Sequence, residues 1–233
     1  MRRSPTILTT LIVGAFVLTG CQGQESSSQS SEGSSAPLQD SSRELTIASN
    51  TEYGRGAASD GDDTNSEEAP TRLLTEDAEA IVIYFSRGGN TENFARMIHN
   101  ANGADMLELT VEDPYPADYE ETVERADQER DSRNYPALST DLSDLSRYDR
   151  VYLGHPIWSM TLANPMYRFL EDYSDVINGK AIYPFSTNAG YGRGNSVDLI
   201  KEYLPDSSVD DGLSIQDEEV LDNQSQIVDW ANQ

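Results

Sequence analysis

A chain of 233 residues with 41 Asp and Glu against 16 Lys and Arg carries a formal charge of −25 at pH 7. That balance excludes non-specific binding to nucleic acid or to an anionic lipid surface, both of which need a basic patch. One cysteine excludes an intramolecular disulfide, and two histidines without Cys or carboxylates at ligand spacing give no metal-binding pattern.

The first twenty residues read as a targeting segment. Arg2 and Arg3 precede an apolar run from Ile7 to Leu18 that is too short to cross a membrane comfortably. The run ends in "LTGC", with the sole cysteine at Cys21. This resembles the lipobox of bacterial lipoproteins, which implies cleavage before Cys21 and lipidation of that residue. The expectation is an extracytoplasmic protein whose only membrane contact is its lipid anchor.

Residues 21–78 contain "SSSQSSEGSSAP" and "SDGDDTNSEEAP", nearly devoid of large apolar side chains. Such a segment cannot offset its ordering entropy, so it predicts a disordered tether of roughly 55 residues spanning about 40 Å root-mean-square. The short "RELTIAS" patch at 43–49 has some strand or docking character but is read as part of that tether.

The pattern changes at residue 79, where a domain running to 233 begins. "EAIVIYFS" is a short apolar run suited to a strand buried on both faces. "NTENFARMIHNANG" places Phe94, Met97, Ile98 and Ala101 on one helical face and stops at Gly103; His99 falls toward its solvent end. "ADMLELT" is a second strand. Residues 117–131 form a highly charged helix with Tyr119, Val123 and Ala126 inward. "YDRVYLGHP" is a third strand, ending at Gly154, and "NPMYRFLEDYSD" a helix with Pro165 near its start. "GKAIYPFS" is a fourth strand, "GNSVDLIKEYLP" a helix, "SSVDDGLSI" a weak fifth strand, and residues 217–233 a final helix.

Strands alternating with helices predict an α/β fold, a doubly wound five-stranded parallel sheet with helices on both faces. Ligands of such sheets bind at the carboxyl ends of strands near the topological switch point. Three loops therefore matter: "SRGGNT" after strand one, "GHPIWSMTLANP" after strand three and "STNAGYGRG" after strand four.

The first loop lacks both G-x-G-x-x-G and the Walker pattern. It could still hold a phosphate through backbone N–H groups, a helix N-terminus and the short side chains of Ser86, Asn90 and Thr91. An ordinary capped strand–helix turn is the alternative. Trp158 either packs its loop down or stacks on a planar ligand. Tyr191 is a second aromatic wall or a solvated loop residue. His155 follows strand three and is read as loop packing, with titration near a ligand as the other possibility. The acidic runs at 120–131 and 217–222 are solvated helix faces, or a docking surface for a cationic partner.

Together "IYFSRGGNTENFARMI", "VYLGHPIWSMTLANPMYRFLED" and "YPFSTNAGYGRGNSVDLIKEYLP" resemble the flavodoxin family, as does "DPYPADYEETVERADQE". The resemblance spans about residues 79–230 and implies non-covalent FMN binding and electron transfer. It places the FMN phosphate at Ser86, Arg87, Gly88, Gly89, Asn90 and Thr91. The flavin ring falls at Pro156, Ile157 and Trp158 and at Ser186, Thr187, Asn188, Ala189 and Gly190. Ser159 and Met160 depart from the family pattern, where a second Trp and a Gly are common.

The function these features imply is a lipid-anchored FMN electron carrier, with a redox protein or a quinone as partner and no catalytic residues of its own. Two alternatives share the fold. One is an FMN-dependent quinone or azo-compound reductase. The other is a binding module that has lost the cofactor.

Overall fold

In a computed structural model of the chain, the residues described are 44–49, 51, 69–142 and 144–233. The expected signal peptide, Cys21 and most of the expected tether lie outside them. The elements are β1 (Arg72–Leu73), β2 (Ala80–Tyr84), α1 (Asn90–Asn102), β3 (Asp105–Glu108), α2 (Tyr119–Ser132), β4 (Arg150–Pro156), α3 (Asn164–Ile177), β5 (Ala181–Asn188), α4 (Ser196–Tyr203), β6 (Ser208–Val209), β7 (Leu213–Gln216) and α5 (Gln224–Ala231).

The sheet order is β1-β3-β2-β4-β5-β6, with β7 also paired to β5. All pairs are parallel except β1 on β3. The chain steps outward from β2 to β3 and then crosses to β4 on the other side. The switch point thus lies between β2 and β4, and the loops after β2, β4 and β5 gather at one edge.

Strand alternation divides the core. Ile81, Ile83, Val151 and Leu153 face Met166, Phe169 and Leu170 of α3 and Ala126 of α2. Val82, Tyr84 and Tyr152 face Phe94, Met97 and Ile98 of α1 and Ile227 and Trp230 of α5. Side chains of opposite parity point to opposite faces, so these largely apolar strands can be covered on both sides.

Three features differ from the sequence expectation. The fifth strand is two short pieces, β6 and β7, each paired to a different part of β5. Between them Gly212 turns at φ +74°, where a Cβ would come 2.6 Å from the Pro184 carbonyl oxygen. His99 is buried at the end of α1, with Nδ1 2.7 Å from the Ala104 carbonyl oxygen, rather than near solvent.

The third difference corrects the tether. β1 adds an antiparallel edge strand, so that with the divided fifth strand the sheet has seven strands among the described residues rather than five. Asp105, fully buried, holds the segment after β1: it accepts from the Thr75 N–H and hydroxyl, from Arg147 at 2.7 Å and from the Tyr148 hydroxyl at 2.6 Å. Residues 44–49 lie against α1. Described structure therefore exists before residue 79.

Glu108, at the end of β3, is buried among Tyr84, Glu92 and Thr71. Burial, reinforced by the Glu92 carboxylate, pushes its carboxyl pKa from an ordinary 4.5 up to about 8. Between those values the folded chain keeps a proton that the unfolded chain has released. Stability must then fall as pH rises through that window and level off above it. Thermal midpoints from about pH 5 to about pH 9 should decline more in the native chain than in Glu108→Gln. Superimposable profiles would rule out this assignment.

Candidate functional site

β2 runs directly into the first loop. The Ser86 Oγ accepts from the Gly89 N–H at 3.1 Å, tightening the turn. Gly89 is the N-cap of α1 at φ 84° and offers no side-chain cap. The first turn, Asn90 to Asn93, is nevertheless buried. A buried helix start with no capping side chain calls for an external acceptor, and the helix dipole makes an anion the favoured one. Thr91 and Thr187 join their hydroxyls at 2.8 Å, tying this loop to the end of β5.

Two arginines flank this end of the cleft. Arg87 donates to the Ala117 carbonyl at 3.2 Å and lies 5.6 Å from the centre of the Tyr119 ring. Arg130, from α2, pairs with Asp127 at 2.7 Å, while its Nε–H is buried without a hydrogen-bond partner.

The other end is aromatic. Trp158 meets Phe85 and Tyr115 edge-on, at 5.5 and 5.2 Å between centroids. Tyr115 is fixed in turn. Its hydroxyl donates to Glu129, the Arg125 guanidinium lies 4.2 Å over its ring, and Asn164 donates to the same Glu129 oxygen. Trp158 is thus braced from behind while remaining part of the cleft wall.

Trp158 and Thr161 exchange backbone hydrogen bonds across a two-residue turn. Ser159 and Met160, in that turn, have φ of 48° and 64°. Two successive positive φ values mark the mirror-image hairpin turn that favours Asn-Gly, here built from residues that tolerate it poorly. The turn is held by the Asn195 N–H on the Met160 carbonyl and by Tyr167 on Thr161. Gly194 passes so close that a Cβ would lie 1.8 Å from the Met160 carbonyl oxygen.

These parts enclose a cleft of about 410 Å³, within the range of small-molecule sites. Of the residues expected there, Ser86, Arg87, Gly88, Asn90, Thr91, Pro156, Ile157, Trp158, Thr187, Asn188 and Ala189 line it. Gly89, Ser186 and Gly190 do not. Gly89 shapes the helix start, Ser186 donates to Ser214, and Gly190 N–H donates to the Asn188 carboxamide. Asn188 also accepts from Gly192 and donates to the Ile215 carbonyl, so its side chain is occupied in folding its own loop.

Sequence reasoning missed the wall contributed by α2. Tyr119, Val123 and Ala126 read as one buried stripe, yet they line the cleft beside Asp127 and Arg130. The signal was present in that stripe, but its spacing cannot say which part lies over the sheet and which over the cleft. His155 does not join the site. Both its ring nitrogens are buried without partners, and burial pushes its pKa down to about 3, leaving a neutral imidazole.

The family model described as flavodoxin matches residues 79–233. Among solved structures, a flavoprotein of Lactobacillus acidophilus in complex with FMN is 24% identical, with a TM-score of 0.53, over 64% of this chain and 99% of that one. A protein of Bacteroides eggerthii is 25% identical, with a TM-score of 0.52, over 65% and 98%. One of Bacteroides uniformis is 23% identical, with a TM-score of 0.56, over 67% and 99%. No curated protein matches the chain.

The strained turn yields a direct test. Met160→Gly relieves about 1–2 kcal/mol of left-handed strain against about 0.5–1 kcal/mol for glycine's greater freedom when unfolded. Stability to urea should rise by roughly 0.5–1 kcal/mol. An unchanged or lower midpoint would show that the turn carries no such strain.

Proposed function

The chain belongs to the flavodoxin family, and on that premise we propose that it binds FMN and carries electrons while held at the membrane by a lipid on Cys21. One observation carries the cofactor reading: the buried, glycine-capped start of α1 faces the same cleft as Trp158. FMN combines a phosphate monoester with a planar ring. The L. acidophilus protein of this fold is one that binds it.

The residues present fit that ligand. The phosphate would be held by the loop from Ser86 to Thr91 and the α1 dipole, with Arg87 and Arg130 at hand. The ring would lie along Trp158 and Ile157, beside the loop that Asn188 organises. When bound, FMN supplies one- and two-electron chemistry; the chain supplies orientation, exclusion of water and field. Trp158, braced by Phe85 and Tyr115, keeps its place without reorganising. The acidity of the chain, a formal −25 over its whole length, disfavours negative charge added to the ring, which lowers the midpoint potential.

A reductase is the second reading, favoured by the α2 wall. Tyr119, Val123 and Asp127 add to the cleft a wall that lies outside the three loops, a surface against which a second substrate would rest. Turnover of a quinone or azo compound with NAD(P)H separates it from a carrier.

The membrane reading rests on "LTGC" and its sole cysteine. Among the described residues no helix is long and apolar enough to cross a membrane. A lipid on Cys21 would place the domain outside the cytoplasm, within reach of a redox protein or a quinone. Cys21→Ser should move the protein from the membrane fraction to the soluble one; an unchanged membrane fraction would remove the anchor from this account.

For the cofactor, the full chain purified in detergent should be yellow and release FMN on denaturation, with a midpoint below that of free FMN. Trp158→Ala should weaken FMN about ten-fold, as expected for losing one aromatic contact. A colourless chain that ignores added FMN would end the carrier reading.

A further inference from the structure

Two segments that precede the family match, which begins at residue 79, grip the helix at the centre of the site. Residues 44–49 lie along α1 in the opposite sense. Leu45 N–H donates to the Asn100 carboxamide oxygen at 2.8 Å, and the Asn100 amide donates back to the Leu45 carbonyl at 2.9 Å. The same double clasp recurs two turns earlier between Ala48 and Asn93, at 2.9 and 2.8 Å. Between them Arg96 donates to the Thr46 carbonyl at 2.9 Å. Asn93, Arg96 and Asn100 fall at i, i+3 and i+7, one stripe of the helix. Leu45 and Ile47 pack on the apolar cluster that α1 shares with α5.

The second segment reaches the same turn from the sheet edge. The Thr71 hydroxyl donates to Glu92 at 3.2 Å and its N–H to Glu108 at 2.8 Å. Glu92 also takes Arg96 at 2.6 Å, so both segments meet on one ion pair. Glu92 and Asn93 immediately follow Asn90 and Thr91, which line the cleft.

We propose that residues 44–49 and 70–75 form a clamp that positions the first turn of α1 and thereby sets affinity for the phosphate of FMN. The proposal rests on the FMN reading. Its physical basis is preorganisation. The anion would be held largely by backbone N–H groups, whose aim depends on a fixed helix start, and a fixed start spares the ligand the cost of ordering it. The effect should be confined to the phosphate. The ring is held by loops after β4 and β5 that the clamp does not touch, so riboflavin, which has the ring and no phosphate, should be indifferent to it. Coupling is reciprocal: whatever the clamp adds to FMN binding, FMN adds to the clamp.

The test uses the full chain, with the double variant Leu45→Asp, Ile47→Asp to detach the first segment and Thr71→Val as a milder change that removes one hydroxyl. Dissociation constants for FMN and for riboflavin are measured by flavin fluorescence quenching. The double variant should lose FMN affinity about three- to ten-fold and Thr71→Val about two-fold, with riboflavin unchanged. In the native chain, amide exchange at Leu45 and Ala48 should slow when FMN binds and not when riboflavin binds. Equal losses for both ligands, no loss for either, or exchange indifferent to FMN would overturn the clamp alone. If the native chain bound neither ligand, the FMN reading would fall and the clamp with it. If the double variant fails to fold, Thr71→Val and the exchange measurement still decide.

Discussion

The site depends on the start of α1, a helix end that is buried and lacks a side-chain cap. The first turn is buried and the N-cap glycine has no side chain to cap it, the Ser86 hydroxyl taking only the Gly89 N–H, so the helix end is organised for a ligand. In a chain so rich in acid this arrangement suits the purpose. Backbone dipoles attract an anion without lysines, which the surrounding carboxylates would draw into ion pairs. The two arginines at the cleft illustrate the point, since Arg130 is already shared with Asp127 and Arg87 with the loop before α2.

The rest of the molecule serves that constraint by rigid connection. The switch between β2 and β4 brings the anionic end and the aromatic end to one edge of the sheet. The Thr91–Thr187 contact and the Ile157 N–H on the Thr187 carbonyl link all three loops through a single residue of β5. Behind Trp158, the chain of Tyr115, Glu129, Arg125 and Asn164 transmits the position of α2 and α3 to the ring. The strained turn at Ser159 and Met160 persists because the Asn195 N–H and the Tyr167 hydroxyl hold it in addition to its own Trp158–Thr161 bonds, as expected where local strain is kept at a site. On the opposite face, the segments before residue 79 hold α1 from outside the sheet.

Most of the architecture was legible in the sequence. β2 and β4 are apolar runs with no alternative use, and α1 displays its inner face at helical spacing and ends at Gly103. The three loops could be named because the strand order of a doubly wound sheet dictates where ligands go. The failures share a cause. β1 is two residues long, and Glu44–Ser49 has no regular pairing in its own sequence; each exists because a distant side chain completes it. Asn93 and Asn100 look like ordinary helix-surface residues until Ala48 and Leu45 arrive. His99 looked solvated because its burial comes from packing that its neighbours in sequence do not reveal. The α2 stripe was correctly seen as inward, but inward meant the cleft as well as the core.

By itself the sequence determined what local chemistry can encode: the alternation of elements, the helix stops, the glycine-rich loop, the tryptophan, the acidity and a basic then apolar run ending at a sole cysteine. Those follow from periodicity, backbone freedom and charge, which are properties of short stretches. The tertiary structure alone decided which side chains share the cleft, that Ser186 and Gly190 support it rather than line it, that the fifth strand divides at Gly212, and that the chain before the domain closes on α1. Such outcomes depend on contacts between residues tens of positions apart, and no window of sequence contains both partners.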